Sequence, residues 1–210
     1  MLRQHLLDTG RGRIVSLLRH GPLTVDDIAS KLALSASGVR AQVTAMERDG
    51  VVRRRGRRVG TTRPSRVFEL TPDVEQLLSQ AYVPLLTQLV DVFATTLPRR
   101  QVDALLRKVG EKLARKLSAG KPSGSLRSRV TAASEVLNQQ LGAVTHVDEN
   151  GTYVIRGDGC PLSALTGKHP AVCRAMESLV KELVGAPVHE CCEREQPPRC
   201  CFEIKRTGAD

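Results

Sequence analysis

The sequence predicts a mainly helical chain with α+β character, built in three successive parts. Three observations lead there. Apolar residues recur at helical spacing through the first fifty positions, and two short strands follow them. Positive charge gathers at the same end. Residues 1–70 hold 14 Lys and Arg against 6 Asp and Glu, residues 71–150 hold 10 against 8, and residues 151–210 hold 8 against 8. All six cysteines lie after position 159. A chain of 210 residues can bury a real core, but Trp is absent and aromatics make up only 2%. That core must therefore be Leu, Val, Ile and Ala.

The first helix spans 11–20, with Ile14, Leu17 and Leu18 on one face, and Gly21-Pro22 stops it. Thr24 then has the character of an N-cap, with Asp27 at the third helical position as in a capping box. Ile28 and Leu32 lie four apart on the helix that follows, and Leu34-Ser35-Ala36 makes a tight turn. The next helix runs to about Arg48, with Val39, Val43 and Met46 inward and Gly50 at its end. Val51-Val52 starts a strand, and Val67–Leu70 is its return partner. Between them lies a Gly- and Arg-rich loop. Three helices followed by such a hairpin describe a winged helix-turn-helix domain over residues 1–72.

Residues 73–118 read as a helical linker and dimerisation region. Val74, Leu78, Ala81, Leu85, Leu89 and Phe93 form one stripe, which Pro84 should kink or divide. A second helix covers 99–118. Ser118–Ser125, rich in Gly, Ser and Pro, is the expected main boundary. Residues 126–205 should then form a small cysteine-rich α+β domain. It would hold a helix at 126–141, a hairpin of 144–147 with 152–155, a helix at 170–184, and strands near 187–192 and 200–205.

In a helix-turn-helix the second helix enters the DNA major groove. The candidate base and backbone contacts are Thr24, Ser35, Ser37, Arg40, Ala41, Gln42 and Thr44. Arg reads guanine and Gln reads adenine in bidentate fashion. The wing arginines Arg53, Arg54, Arg55, Arg57, Arg58, Arg63 and Arg66 suit phosphate contact or minor-groove insertion. The expected partner is double-stranded DNA, bound by a homodimer. The bland alternatives are a winged domain used for protein contact and a solvated basic loop. Enzyme readings lack their residues: the chain has no phosphate loop, no GxSxG, no HExxH and no deaminase signature.

No stretch approaches the ~18 apolar residues of a membrane span, and no apolar signal region opens the chain, so a cytoplasmic location is expected. A reducing compartment disfavours structural disulfides and makes clustered cysteines metal ligands or redox groups. Four thiolates are the usual complement of an iron–sulfur cluster and equally of structural zinc. Cys160 follows a Gly-rich loop. Cys173 falls in the first turn of a helix, where the dipole favours thiolate. Strand period puts Cys200 in phase with Phe202 and Ile204, and Cys201 in phase with Glu203. The preferred ligand set is therefore Cys160, Cys173, Cys200 and Cys192, the last in phase with Val188. Cys191, Cys201 and His169 are secondary candidates, with His169 read first as a residue orienting a helix start. The cysteines lack the short C-x₂₋₄-C pairs usual for zinc. Iron–sulfur, zinc, a thiol–disulfide redox sensor and inert buried cysteines all stay open on the residues alone.

Ile28–Ser35, Val39–Val43 and Arg63–Thr71 together resemble the winged-helix repressors of the DeoR/ArsR-like group. Cys160-Pro161-Leu162, His169-Pro170-Ala171-Val172-Cys173 and Cys200-Cys201-Phe202-Glu203-Ile204 resemble the C-terminal module of SufR-like repressors. That resemblance covers the whole chain in order. It implies an iron–sulfur cluster in the C-terminal domain and a repressor that releases DNA when the cluster is lost.

Overall fold

A computed structural model describes residues 8–58, 64–118, 120, 122–149, 151–195 and 197–205. The chain divides into two units, Met1–Gln80 and Ala81–Asp210. The first begins with α1, Gly10–Leu18, capped by Thr9. The two-residue strand β1, Leu23–Thr24, leads into α2, Val25–Leu32. The capping box is formed: the Asp27 N–H donates to Thr24 Oγ1 at 3.1 Å, and the Thr24 N–H donates to Asp27 Oδ2 at 2.8 Å. Ala33, with φ +53°, closes α2 in the left-handed conformation, and Ser35 caps α3, Ala36–Arg48. Strands β2, Val52–Arg58, and β3, Ser65–Leu70, pair antiparallel, with a bulge between Arg54 and Gly56. The sheet order is β1-β3-β2. The core joins Ile14, Leu18, Ile28, Leu32, Val39, Val43, Met46, Val52, Phe68 and Leu70, all buried. The short helix α4, Pro72–Leu78, leans Val74 and Leu78 against it.

The stripe from Val74 to Phe93 is divided, one of the two outcomes expected of Pro84. It breaks at Ser79–Ala81, and α5 runs from Tyr82 to Thr96. Pro84 dictates the place. Its ring would clash with the carbonyl of Gln80 in a continuous helix, whereas in the first turn of α5 its missing N–H costs nothing.

The second unit places α6, Arg99–Leu117, across α9, Cys173–Val184. Gly110 makes that crossing possible: a Cβ there would lie 2.9 Å from Leu179 N and closer still to the Ala175 carbonyl oxygen. The main boundary therefore does not fall at 118–125. The helix before that segment is packed on the cysteine-bearing helix after it. Between them come α7, Leu126–Leu141; β4, Thr145–Glu149; β5, Tyr153–Gly157; the single turn α8, Ser163–Thr166; and a 3₁₀ turn, Pro170–Val172. Strands β6, Val188–Glu190, and β7, Cys201–Ile204, close the described chain. The second sheet has the order β4-β5-β7-β6, antiparallel throughout. Its inner face, with Ile155, Phe202 and Ile204, packs on Val130, Leu137, Leu179 and Val180.

A smaller core, of Val90, Val102, Leu106, Leu165 and Val172, seats α5 and α6 on the segment between Cys160 and Cys173. Among the described residues no single helix is long and apolar enough to cross a membrane.

Candidate nucleic-acid interface and candidate metal centre

The outer stripe of α3 is formed by Ser37, Arg40, Ala41 and Thr44, all exposed, opposite the buried Val39, Val43 and Met46. Arg40 and Thr44 line a cleft of about 490 Å³ with Arg54, Pro64, Ser65 and Arg66 of the wing. Ser35 is exposed, but its hydroxyl is occupied by the Gly38 N–H. Two expected DNA contacts are turned elsewhere. Thr24 is buried, and its side chain is spent on the capping box. Gln42 is half-buried over Gly10, with Oε1 sequestered from solvent. Residue spacing alone had placed Gln42 outward; the docking of α1 covers it.

Most wing arginines are already paired. Arg53 and Arg55 both reach Glu69, at 2.9 and 3.2 Å. Arg54 reaches Glu47 at 2.8 Å, and Arg58 reaches Asp27 at 2.9 Å. All four side chains are more than half exposed, so each pair contributes roughly 0–1 kcal/mol and can be exchanged for phosphate. Arg40, Arg57 and Arg66 form no ion pair among the described residues. Arg63 lies outside the described residues.

At the other end of the chain, Cys160 follows β5 on a loop that turns back through Gly157 and Gly159. The Gly157 N–H donates to the Cys200 carbonyl at 2.8 Å, and a Cβ on Gly157 would stand 3.3 Å from Cys200 Cβ. Cys173 opens α9 and is buried. Cys192 follows β6, and its sulfur accepts from the Cys201 N–H at 3.3 Å. Cys200 precedes β7 and is buried in the main core. The thiols touch in series: Cys160 meets Cys200, Cys200 meets Cys192, and Cys192 meets Cys173. These are the four preferred from the sequence. Cys173 Sγ, Cys192 Sγ and a Glu190 carboxylate oxygen all lie within 4.8 Å of one another, a group that can hold a metal ion. Glu190 was not a sequence candidate.

The thiols differ electrostatically. A hydrogen bond from the Cys200 thiol, helped by the Leu162 N–H, brings Cys160 down to about 7. The mirror of that bond, with burial, pushes Cys200 up to about 12. Cys173 is pushed up by its contact with Cys192, by burial and by the nearby Glu190 charge. The helix dipole was expected to lower it, and burial among neighbours outweighs that effect.

Cys201 does not face solvent as strand period suggested. It is buried and disulfide-bonded to Cys191, with Cα atoms 4.9 Å apart, and Arg156 lies 3.8 Å from its sulfur. His169 is also buried; it stands at the start of the 3₁₀ turn without a side-chain cap hydrogen bond, and outside the compact donor group. Its Nε2 lies 3.5 Å from Asp91 of α5, whose carboxylate also meets Lys168 at 3.0 Å. His146 and His189 are exposed on strands.

The N-terminal unit is a winged-helix domain, and the family model of the DprA winged helix domain matches residues 4–56. Among solved structures the chain is similar to Bacillus subtilis PadR in complex with operator DNA. That match has 16% identity, covers 85% of this chain and 99% of that chain, and has a TM-score of 0.31. No curated protein matches the chain.

Proposed function

We propose that this chain is a DNA-binding transcriptional regulator, a repressor and not an enzyme. In this reading it works as a homodimer whose operator affinity is set by an iron–sulfur cluster in the cysteine centre. The observation that carries the reading is the convergence of Cys160, Cys173, Cys192 and Cys200 from a loop, a helix start and two strand ends. Four partly or fully buried thiols in series fit the donor set of a cluster, and equally that of zinc. The resemblance of the C-terminal module to SufR-like repressors favours the cluster. Held there, it would supply thiolate bonds that tie those four segments together.

The chain's own packing offers a route from this centre to the rest of the second unit. Leu162, Leu165 and Val172, between Cys160 and Cys173, pack on Val90, Phe93, Leu97, Val102 and Leu106. The Lys168–Asp91 pair fastens the same segment to α5. The positions of Cys160 and Cys173 thus bear on the seat of α5, the helix we assign to dimerisation. Moving that seat would change how two recognition helices are spaced for neighbouring half-sites.

The test compares protein with a full centre against protein stripped of metal, on the same duplex. Different affinities are expected; equal affinity would mean no regulation through this site. A second reading rests on the Cys191–Cys201 disulfide beside the thiols: a thiol–disulfide switch. It predicts that oxidation alone changes DNA affinity and that Cys191→Ser abolishes the change. A full zinc complement with no iron would instead give a zinc-dependent regulator.

A further inference from the structure

We infer that Cys173, Glu190 and Cys192 form a mononuclear site for a divalent cation of the zinc, ferrous or cobaltous class, with Glu190 as a direct ligand. The inference rests on the reading of this region as a metal centre and names a ligand that reading does not contain; the single ion and the cluster are alternative occupants of Cys173 and Cys192.

The geometry comes first. The two sulfurs and the carboxylate oxygen lie within 4.8 Å of one another. Donors on one tetrahedral ion, with metal–sulfur bonds near 2.3 Å and metal–oxygen bonds near 2.0–2.2 Å, stand roughly 3.5–3.8 Å apart. Closing on an ion therefore takes shifts of about an ångström, within the reach of side-chain rotation.

The Glu190 side chain is only 5% exposed, while its cationic partner Arg194 is 51% exposed. The carboxylate is thus held away from water beside two thiols, while its ion-pair partner among the described residues is half in water.

Arg194 Nη2 donates to both oxygens, at 2.8 and 3.1 Å, and the Cys192 N–H donates to Oε1 at 3.1 Å. A carboxylate has about four lone-pair positions, so these bonds fix its direction and leave sites for a metal. Ligating carboxylates are commonly held by such outer partners. The backbone is held as well, since the Glu190 N–H donates to Glu177 Oε1 at 3.2 Å. Charge closes the argument. Two thiolates and a carboxylate around a divalent ion leave one negative charge, which the Arg194 guanidinium offsets. Cys200, in contact with Cys192, is the nearest thiol for a fourth position, while Cys160 meets only Cys200 along this series.

The experiment is an anaerobic titration of the full-length, reduced protein with Co²⁺, read in the near-ultraviolet for thiolate charge transfer and in the visible for d–d bands. One equivalent should bind with both signatures. Glu190→Gln should keep charge transfer at saturation, alter the d–d envelope, and weaken binding by at least the ~10–100-fold that losing even an outer partner costs. Glu190→Asp keeps the charge but withdraws the oxygen by one methylene; it should shift the d–d bands and decides the matter if the Gln variant fails to fold. Unchanged affinity and spectrum in the folded Gln variant, or in Asp where it is the arbiter, would overturn the inference, as would no Co²⁺ binding by the unmutated protein. Failure of the regulator reading is separate: it would appear as no duplex binding in any metal state, with the cobalt results intact.

Discussion

Single residues set the local geometry that both sites depend on. Thr24 and Asp27 satisfy each other's backbone, and the Thr24 N–H, together with Arg58, holds the Asp27 carboxyl below its ordinary value of 3.8. A depressed folded value means that the unfolded chain binds the proton more readily in that window. The stability Asp27 contributes is therefore complete well above 3.8 and is lost as pH falls through its lower folded value. The gap in melting temperature between the unmutated protein and Asp27→Asn should narrow on acidification, and a gap independent of pH would reject this role. Thr24→Ala should cost about 1 kcal/mol in chemical denaturation. Gly110→Ala tests the opposite balance. Alanine gains about 1 kcal/mol of helix propensity, yet its Cβ would meet the α9 backbone. Overpacking of this kind costs about 1–3 kcal/mol or more, so the variant should be net destabilised. The capping box was legible in the sequence because it is local. The role of Gly110 was not, because nothing near it in sequence announces the helix that crosses there.

Among elements, α3 and the wing divide the work of contacting DNA in the proposed function. Arg57 and Arg66, free of ion pairs among the described residues, should each flatten the log–log salt dependence of duplex binding by about 0.9 when changed to Ala. Arg53→Ala should do less, because Glu69 already shares that guanidinium. Arg40→Ala should relax sequence preference, whereas Gln42→Ala should leave it unchanged, since that side chain is turned towards Gly10. Equal salt slopes for all these variants would contradict the division. The inward faces of α2 and α3 were readable from apolar spacing alone. Gln42 was misread because spacing gives a residue's side of a helix but not which neighbour covers that side. Strand period put Cys201 on the polar face and missed that Cys191 covers it. Nor does it show the burial of the Glu190 side chain, which beside a cysteine pair has the look of surface charge until β6 docks against α9.

At the scale of the whole molecule, α5 presents a broad exposed apolar face. Val83, Leu85, Leu86, Leu89 and Val92 are 42–69% exposed, while Val90 on its other side is buried. The proposed dimer covers that face. Leu85→Glu changes a residue exposed in the protomer, so it should alter protomer stability by no more than about 0.5 kcal/mol while shifting sedimentation from dimer to monomer. A monomeric unmutated protein would remove this role for α5. The sequence showed that the helix is apolar and that Pro84 should kink or divide it; its seat on the segment between the first two cysteines emerged only from the fold. The central claim is that the state of the cysteine centre governs DNA affinity. The most direct measurement is duplex affinity of anaerobically purified protein of known iron, sulfide and zinc content, before and after metal removal. The account predicts bound metal and an affinity change of roughly 5–150-fold on its loss, with weaker binding by the stripped protein. Protein that carries no metal, or that binds the duplex equally in both states, would contradict it.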